Sequence, residues 1–312
     1  MAQKHFLSLK DWSREEIELL FEMSAAIKAN PENSARSLAG KSLAMIFQKP
    51  STRTRVSFEA GMFQLGGQAL FLGASDIQLH RGETIADTAR VLSRYVHGIM
   101  ARVFAHQDIL DLARHGSVPV INGLSDLLHP CQALADYFTL RERRGELAGL
   151  KMAYVGDGNN VANELMFGAV KLGLRFAVAC PAGYEPNPLI YKSAVREAQK
   201  LGSPLPEVTS DPLEAVAGAD AVYTDVWTSM GQEAESKARL AAFQGFQVTP
   251  EMMAVAAPEG VFMHCLPAHR GEEVAADVID GPQSVVFDEA ENRLHVQKAV
   301  LVTLMGDGLD DD

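Results

Sequence analysis

The run Ser42-Leu43-Ala44-Met45-Ile46-Phe47, the link Gln48-Lys49-Pro50 and the segment Ser51-Thr52-Arg53-Thr54-Arg55 decide how this chain folds. The first is an apolar run of strand length, and it reads as a strand. The last opens a helical pattern over 51–65, with Ser51 or Thr52 at the cap position. A helix start carries unpaired N–H donors and partial positive charge, so it attracts a phosphate or a carboxylate. Arginine adds a planar fork of donors that matches such an oxyanion. The segment therefore reads as a phosphate anchor, with Arg53 among hydroxyls at the anion position. Arg55 and Glu59, four apart, can also pair simply on a solvated face.

The same alternation continues outward. Strands are expected at 69–72, 98–104 and 118–122, and helices at 13–30, 84–94 and 107–115. A long helix over 131–144 leads into the turn-like 145–149, and the pattern then restarts. Strands are expected at 151–155, 175–180, 207–210, 219–224 and 261–264, with helices at 161–172 and 189–201 and a last helix from 289. Strands joined by helical crossovers imply an α/β fold, with each parallel sheet flanked by helices. A length of 312 residues exceeds the usual single core and suggests two domains, 1–144 and 145–288. In such sheets ligands bind at the carboxyl ends of the strands.

Composition narrows the function classes. A formal charge of −12 argues against nucleic acid as the main partner. No stretch is long and apolar enough to span a bilayer. The N-terminal residues lack the apolar core of a signal peptide. Three cysteines, Cys131, Cys180 and Cys265, form neither a disulfide framework nor a metal-type cluster, and a reducing, cytoplasmic setting is expected.

The chemistry-bearing candidates follow strands. Arg102 lies near the end of its apolar run; it either emerges toward an anion or faces solvent at an edge. His129-Pro130-Cys131-Gln132 precedes the long helix, with Pro130 suited to its first position. His129 can donate one N–H to a carbonyl oxygen or serve as a cap, and no second ligand at helical spacing supports a metal. Gly156-Asp157-Gly158-Asn159-Asn160 invites a dinucleotide, but Val161 holds the third glycine position and Cys180-Pro181 stands where a ribose-binding acid belongs. Asn159 and Asn160 read as caps of the next helix. Asp225, at a strand end and followed by Thr228 and Ser229, suits an ammonium group or an ordinary Asx turn. Cys265 follows another strand with no recognisable base beside it. Arg293 falls at the start of the last helix. No cofactor is expected.

These motifs together resemble the aspartate/ornithine carbamoyltransferase family, its ornithine branch most closely. The matching pieces are Ser-Thr-Arg-Thr-Arg at 51–55, His-Pro-Cys-Gln at 129–132, Asp-Gly-Asn-Asn at 157–160, Asp-x-x-x-Ser-Met-Gly at 225–231 and His-Cys-Leu-Pro at 264–267. They stand in family order over nearly the whole chain. The resemblance implies a carbamoyl-phosphate domain followed by an amino-acid domain, with the last helix, about 289–312, packing back on the first. By the family pattern Ser51, Thr52, Arg53, Thr54, Gln78, Arg102, His129, Gln132, Cys265, Leu266 and Arg293 bind carbamoyl phosphate. Asn160, Asp225, Ser229 and Met230 match the ornithine set, and Arg102, His129 and Cys265 carry the catalytic roles. The implied reaction gives L-citrulline and phosphate within arginine metabolism. The implied assembly is a homotrimer or a multiple of trimers, with 78–83 reaching a neighbouring copy. Aspartate is disfavoured as acceptor because that relative uses a lysine after its second strand, and no lysine lies between Lys49 and Lys151. Putrescine lacks, and acetylornithine masks, the α-ammonium that Asp225 with Ser229 would hold. Two other classes compete. A nicotinamide-dependent dehydrogenase would need the missing fingerprint. A non-catalytic binding protein would leave His129 combined with Asp225 unexplained.

Overall fold

The computed structural model describes residues 3–74, 77, 82–228 and 233–306 of the chain. Contacts divide it into two compact units, Met1–Leu134 with Glu291–Asp312, and Ala135–Ala290.

In the first unit the order is α1 (Arg14–Ala29), β1 (Ser42–Phe47), α2 (Thr52–Gln64), β2 (Gln68–Gly73), α3 (Ile85–Leu92), β3 (Gly98–Arg102), α4 (His106–His115) and β4 (Val120–Leu124). The four strands are parallel in the order β2-β1-β3-β4. β1 is buried after its first residue because apolar side chains on both faces meet covering helices. One core lies under α3 and α4, where Ala44, Ile46, Ile99, Ala101 and Val120 pack with Ala89, Ile109 and Leu112. The N-terminal Phe6 bridges Ile121 in parallel.

Helix α5 (Pro130–Arg144) begins in the first unit, and the division falls within it; the turn at 145–149, where the sequence suggests a boundary, follows that helix. The second unit continues with β5 (Lys151–Val155), α6 (Asn160–Leu172), β6 (Arg175–Ala179), α7 (Pro188–Leu201), β7 (Glu207–Thr209), α8 (Pro212–Val216), β8 (Ala221–Thr224), α9 (Ser236–Ala242), α10 (Pro250–Met253), β9 (Val261–His264) and α11 (Ala276–Ile279). Its five strands are parallel in the order β7-β6-β5-β8-β9. Val155, Ala179, Val222 and Phe262 share a core with Trp227, Phe243 and Val286. The last helix, α12 (Val286–Met305), returns to the first unit from Glu291. There Gly61 of α2 leaves room for Lys298 and Leu294, which a Cβ would approach at 3.3 and 3.7 Å.

Each sheet has one place where its connections reverse direction. In the first unit it lies between β1 and β3, with Phe47 beside Arg102 in register. In the second it lies between β5 and β8, with Tyr154 beside Tyr223. The carboxyl ends of strands at such a reversal form a crevice that binds ligands. Among the described residues no helix is long and apolar enough to cross a membrane.

Candidate functional site

The reversal point of the first unit gathers positive charge. Ser51 caps α2 in extended conformation, and its hydroxyl accepts from the Thr54 amide at 3.2 Å. The first turn of α2 contains no acidic residue, so its N-terminal charge is not met by the helix itself. Arg102 is the last residue of β3 and only 5% exposed. The β3–β4 register shifts between Ala101 and Arg102, and such a bulge re-aims a side chain. Arg102 is thus neither an edge position nor solvent-facing; its strand has neighbours on both sides.

Arg293 is 3% exposed and is held by neutral side chains: it donates to Gln132 Oε1 at 2.6 Å and to Thr54 Oγ1 at 3.3 Å. With its amide turned so that the oxygen faces Arg293, Gln297 accepts two further bonds at 2.7 and 3.0 Å. The sequence places Arg293 at the start of the last helix. In the structure α12 begins at Val286, with Asp288 and Glu289 in its first turn, so Arg293 projects from the third turn. His129 is buried, and its carbonyl starts α5 by accepting from the Gln132 and Ala133 amides. Its imidazole is pushed well below the usual histidine range, first by burial and then by the charges of Arg293, Arg102 and Arg53. The ring is therefore neutral, and among the described residues its Nδ1 has no hydrogen-bond partner. Three guanidinium groups acting on one imidazole mark a region of positive potential suited to an anion. Thr52 is exposed and Arg53 half-buried at the same helix start. Arg55 points elsewhere, pairing with Glu59 at 3.0 Å and lying 3.7 Å from the Phe71 ring centre. Gln78 lies outside the described residues.

The reversal point of the second unit gathers a carboxylate and neutral donors. Asn159 alone caps α6, its side-chain oxygen accepting from the Val161 and Ala162 amides; Asn160 is the first helical residue and not a second cap. The Asn159 amide nitrogen then donates to Asp225 Oδ2 at 2.8 Å. Asp225 Oδ1 accepts from its neighbour Val226 N at 2.8 Å and from the Cys265 thiol at 3.0 Å. Burial pushes the Cys265 thiol well up, and the adjacent Asp225 carboxylate adds to it, so Cys265 is a protonated donor and not a thiolate nucleophile. Leu266 takes a left-handed conformation, φ 58°, with its amide donating to His264 Nδ1 at 2.9 Å. Ser229 and Met230 lie outside the described residues.

Gly158 admits no side chain, since a Cβ would meet the Pro186 nitrogen at 2.2 Å. The chain's own backbone fills the approach that a pyrophosphate would use in a dinucleotide fold. Among the described residues two groups of side chains have metal-type spacing, Asp225, His264 and Cys265, and His269, Glu272 and Glu273. In the first, His264 is already committed at both nitrogens, to the Leu266 amide and, at 3.3 Å, to Glu273. Sequence reading missed Lys49, half-buried, whose ammonium is pulled down by burial and then by Arg102. Its place between β1 and Ser51 was the available signal. It also missed Arg239, 6% exposed, whose partner Asp157 is 82 residues away.

Two parallel α/β units, one gathering guanidinium groups and the other a carboxylate at their reversal points, have the make-up of a group-transfer enzyme. The carbamoyl-phosphate-binding domain of aspartate/ornithine carbamoyltransferase matches residues 4–142, and the Asp/Orn-binding domain of the same family matches residues 148–304. The chain belongs to the aspartate/ornithine carbamoyltransferase family. It is 59% identical over 308 residues to the ornithine carbamoyltransferase of Thermococcus kodakarensis, covering 98% of each chain. It is 59% identical over 304 residues to that of Symbiobacterium thermophilum, covering 97% and 98%. The solved ornithine carbamoyltransferase of Pyrococcus furiosus superimposes with a TM-score of 0.94 at 57% identity, covering 98% of each.

Proposed function

We propose that this chain transfers the carbamoyl group of carbamoyl phosphate to the δ-amine of L-ornithine, releasing L-citrulline and phosphate. The observation that carries the anion half is His129, neutral and set among Arg53, Arg102 and Arg293. Ser51, Thr52, Arg53, Thr54 and the start of α2 hold the phosphate, and Arg102 and Arg293 neutralise it as it leaves. His129, Arg102 and Thr54 polarise the carbonyl as charge grows on its oxygen. Gln132 orients the carbamoyl group, and Gln78, Cys265 and Leu266 complete its binding set.

Asp225, with Asn160, Ser229 and Met230, holds the amino acid. A free alkyl ammonium has a pKa of about 10.4, so the site must present the minor neutral amine. The Cys265 thiol and Asp225 orient that amine. No covalent intermediate is needed, because phosphate leaves readily once its charge is met. Residues 1–144 serve as the carbamoyl-phosphate half and 145–288 as the ornithine half. The protein works in the cytoplasm as a homotrimer or a multiple of trimers, as kinship with the family supports.

The test is citrulline formation from carbamoyl phosphate and ornithine, run beside aspartate, putrescine and acetylornithine as acceptors. Turnover with ornithine far above the other three is expected. No carbamoylation of ornithine, or faster turnover with another acceptor, would overturn the assignment.

A further inference from the structure

Arg239 joins three loops at the carboxyl end of the second sheet. Its Nη1 donates to Asp157 Oδ2 at 2.8 Å and to the Trp227 carbonyl at 3.0 Å, and its Nε donates to Glu235 at 3.1 Å. The guanidinium lies 5.0 Å from the Tyr184 ring centre. Asp157 follows β5 and Trp227 follows β8, the two strands at the reversal point. Two residues beyond Asp157, Asn159 holds Asp225.

Three carboxylates therefore share this end of the sheet, and they are treated differently: Asp157 and the exposed Glu235 both bind Arg239, whereas Asp225 does not. Among the described residues Asp157 has a cationic partner, Arg239. Asp225 is bonded to an amide nitrogen of Asn159, a backbone N–H and a thiol, all neutral. We infer that Arg239 sets the charge of the amino-acid site: by neutralising Asp157 it leaves Asp225 as the uncompensated carboxylate of the three, open to a cationic amine. This rests on the ornithine assignment above and adds to it a positioning residue that touches no substrate.

The surrounding groups leave this charge pattern intact. Asp157 faces Arg239, Asp225, Glu235, Tyr154 and Cys180; Asp225 faces Asp157, Tyr154, Cys265 and Tyr223, whose phenol burial also drives well upward. Burial pushes Cys180 up to about 12 and drives the Tyr154 phenol and the Cys265 thiol well upward, so these three stay uncharged. Burial also raises the Asp157 carboxyl, and Arg239 pulls it back.

The test is a double-mutant cycle on the full chain, read as KM for ornithine, kcat and their pH dependence. Arg239→Gln removes the cation that pulls the buried Asp157 carboxyl back toward its ordinary range, so KM should rise about tenfold at neutral pH with kcat little changed, the size of the rise depending on pH through Asp157. Asp157→Asn leaves the Arg239 cation beside Asp225 balanced only by the exposed Glu235, and KM should rise again. Arg239→Gln with Asp157→Asn removes both charges and should return KM to within about threefold of the unmutated protein. A purely structural latch predicts the opposite, a double variant no better than the worse single one. That result, or single variants with unchanged KM, overturns the inference. Should Arg239→Gln fail to fold, Asp157→Asn compared with the double variant decides between the same two outcomes. Citrulline formation by the unmutated protein separates the two levels. If it is present while the cycle fails, only the charge-setting role falls; if it is absent, the ornithine assignment falls and this inference with it.

Discussion

Arg102 occupies a place where a cation costs stability unless something meets its charge. It is buried at the end of an interior strand, and its neighbours include Lys49 and the positive surroundings of His129. A fold seeking stability alone would place an apolar residue there. The register shift that re-aims Arg102 is the local structural cost of presenting it. Under the proposed reaction its value would lie in the carbamoyl phosphate it meets. Arg102→Ala should lower turnover by about 10²–10³, the usual loss for one preorganised donor to a developing oxyanion. The fold should persist, because the change removes like-charge repulsion along with the donor. Steady-state kinetics with circular dichroism checks both parts, and near-normal turnover in a folded variant rejects the role. Cys265 shows the converse at the same scale. Its position after a strand invites a nucleophile, yet burial first and then the Asp225 carboxylate keep it a thiol, so it is not a thiolate nucleophile.

Helices α1 and α2 start alike and serve different ends. Ser13 and Glu16 form a reciprocal capping box on α1, whose first turn also holds Glu15, so that N-terminus meets its own charge. Ser51 caps α2, but Thr54 stands where a glutamate would close the box, and no acid follows in the first turn. Ser13→Ala should cost about 1 kcal/mol of stability and leave the kinetics alone. Ser51→Ala should cost a similar amount and also raise KM for carbamoyl phosphate. Urea unfolding with initial rates distinguishes them, and an unchanged KM in Ser51→Ala would remove that hydroxyl from the phosphate site.

The elements themselves were largely legible. β1, β5 and β9 occupy the predicted residues because strands in a covered parallel sheet read as apolar runs. α1 and α3 begin one residue after the expected starts at 13 and 84, because Ser13 and Thr84 are their caps. Strand order was not legible, because no local pattern says that β3 crosses to the far side of β1. Nor were the partners that set charge. Arg293 meets Thr54 across 239 residues, and Arg239 meets Asp157 across 82. Such pairs carry no signature in the spacing of neighbouring residues.

At the scale of the whole molecule, one buried acid pair ties stability to pH. Glu289 and Asp136 are both fully buried. Tyr223 donates to one Glu289 oxygen at 3.3 Å and the His264 amide to the other at 3.0 Å. Burial pushes the Glu289 carboxyl well above the usual range, and the charge of Asp136 and a hydrogen bond to it push further in the same direction. The Glu289 carboxyl thus keeps its proton in the fold, since a buried acid beside another carboxyl resists ionising in a low-dielectric interior. Above the unfolded carboxyl value the folded chain keeps a proton that the unfolded chain has released. Each rise in pH through that window therefore favours unfolding, by at most about 1.4 kcal/mol per unit for a single proton. The loss stops only when the folded pair itself ionises. Glu289→Gln mimics the protonated acid, since its amide can donate to Asp136 while its oxygen accepts from Tyr223 or His264. The melting temperature of the unmutated protein should fall relative to that of Glu289→Gln as pH rises from mildly acid to mildly alkaline. The difference between the two curves removes contributions common to both proteins, including the general repulsion of a chain carrying −12. Parallel curves would mean that Glu289 folds ionised, and the hydrogen bonds at the carboxyl end of β9 would then rest on a buried carboxylate.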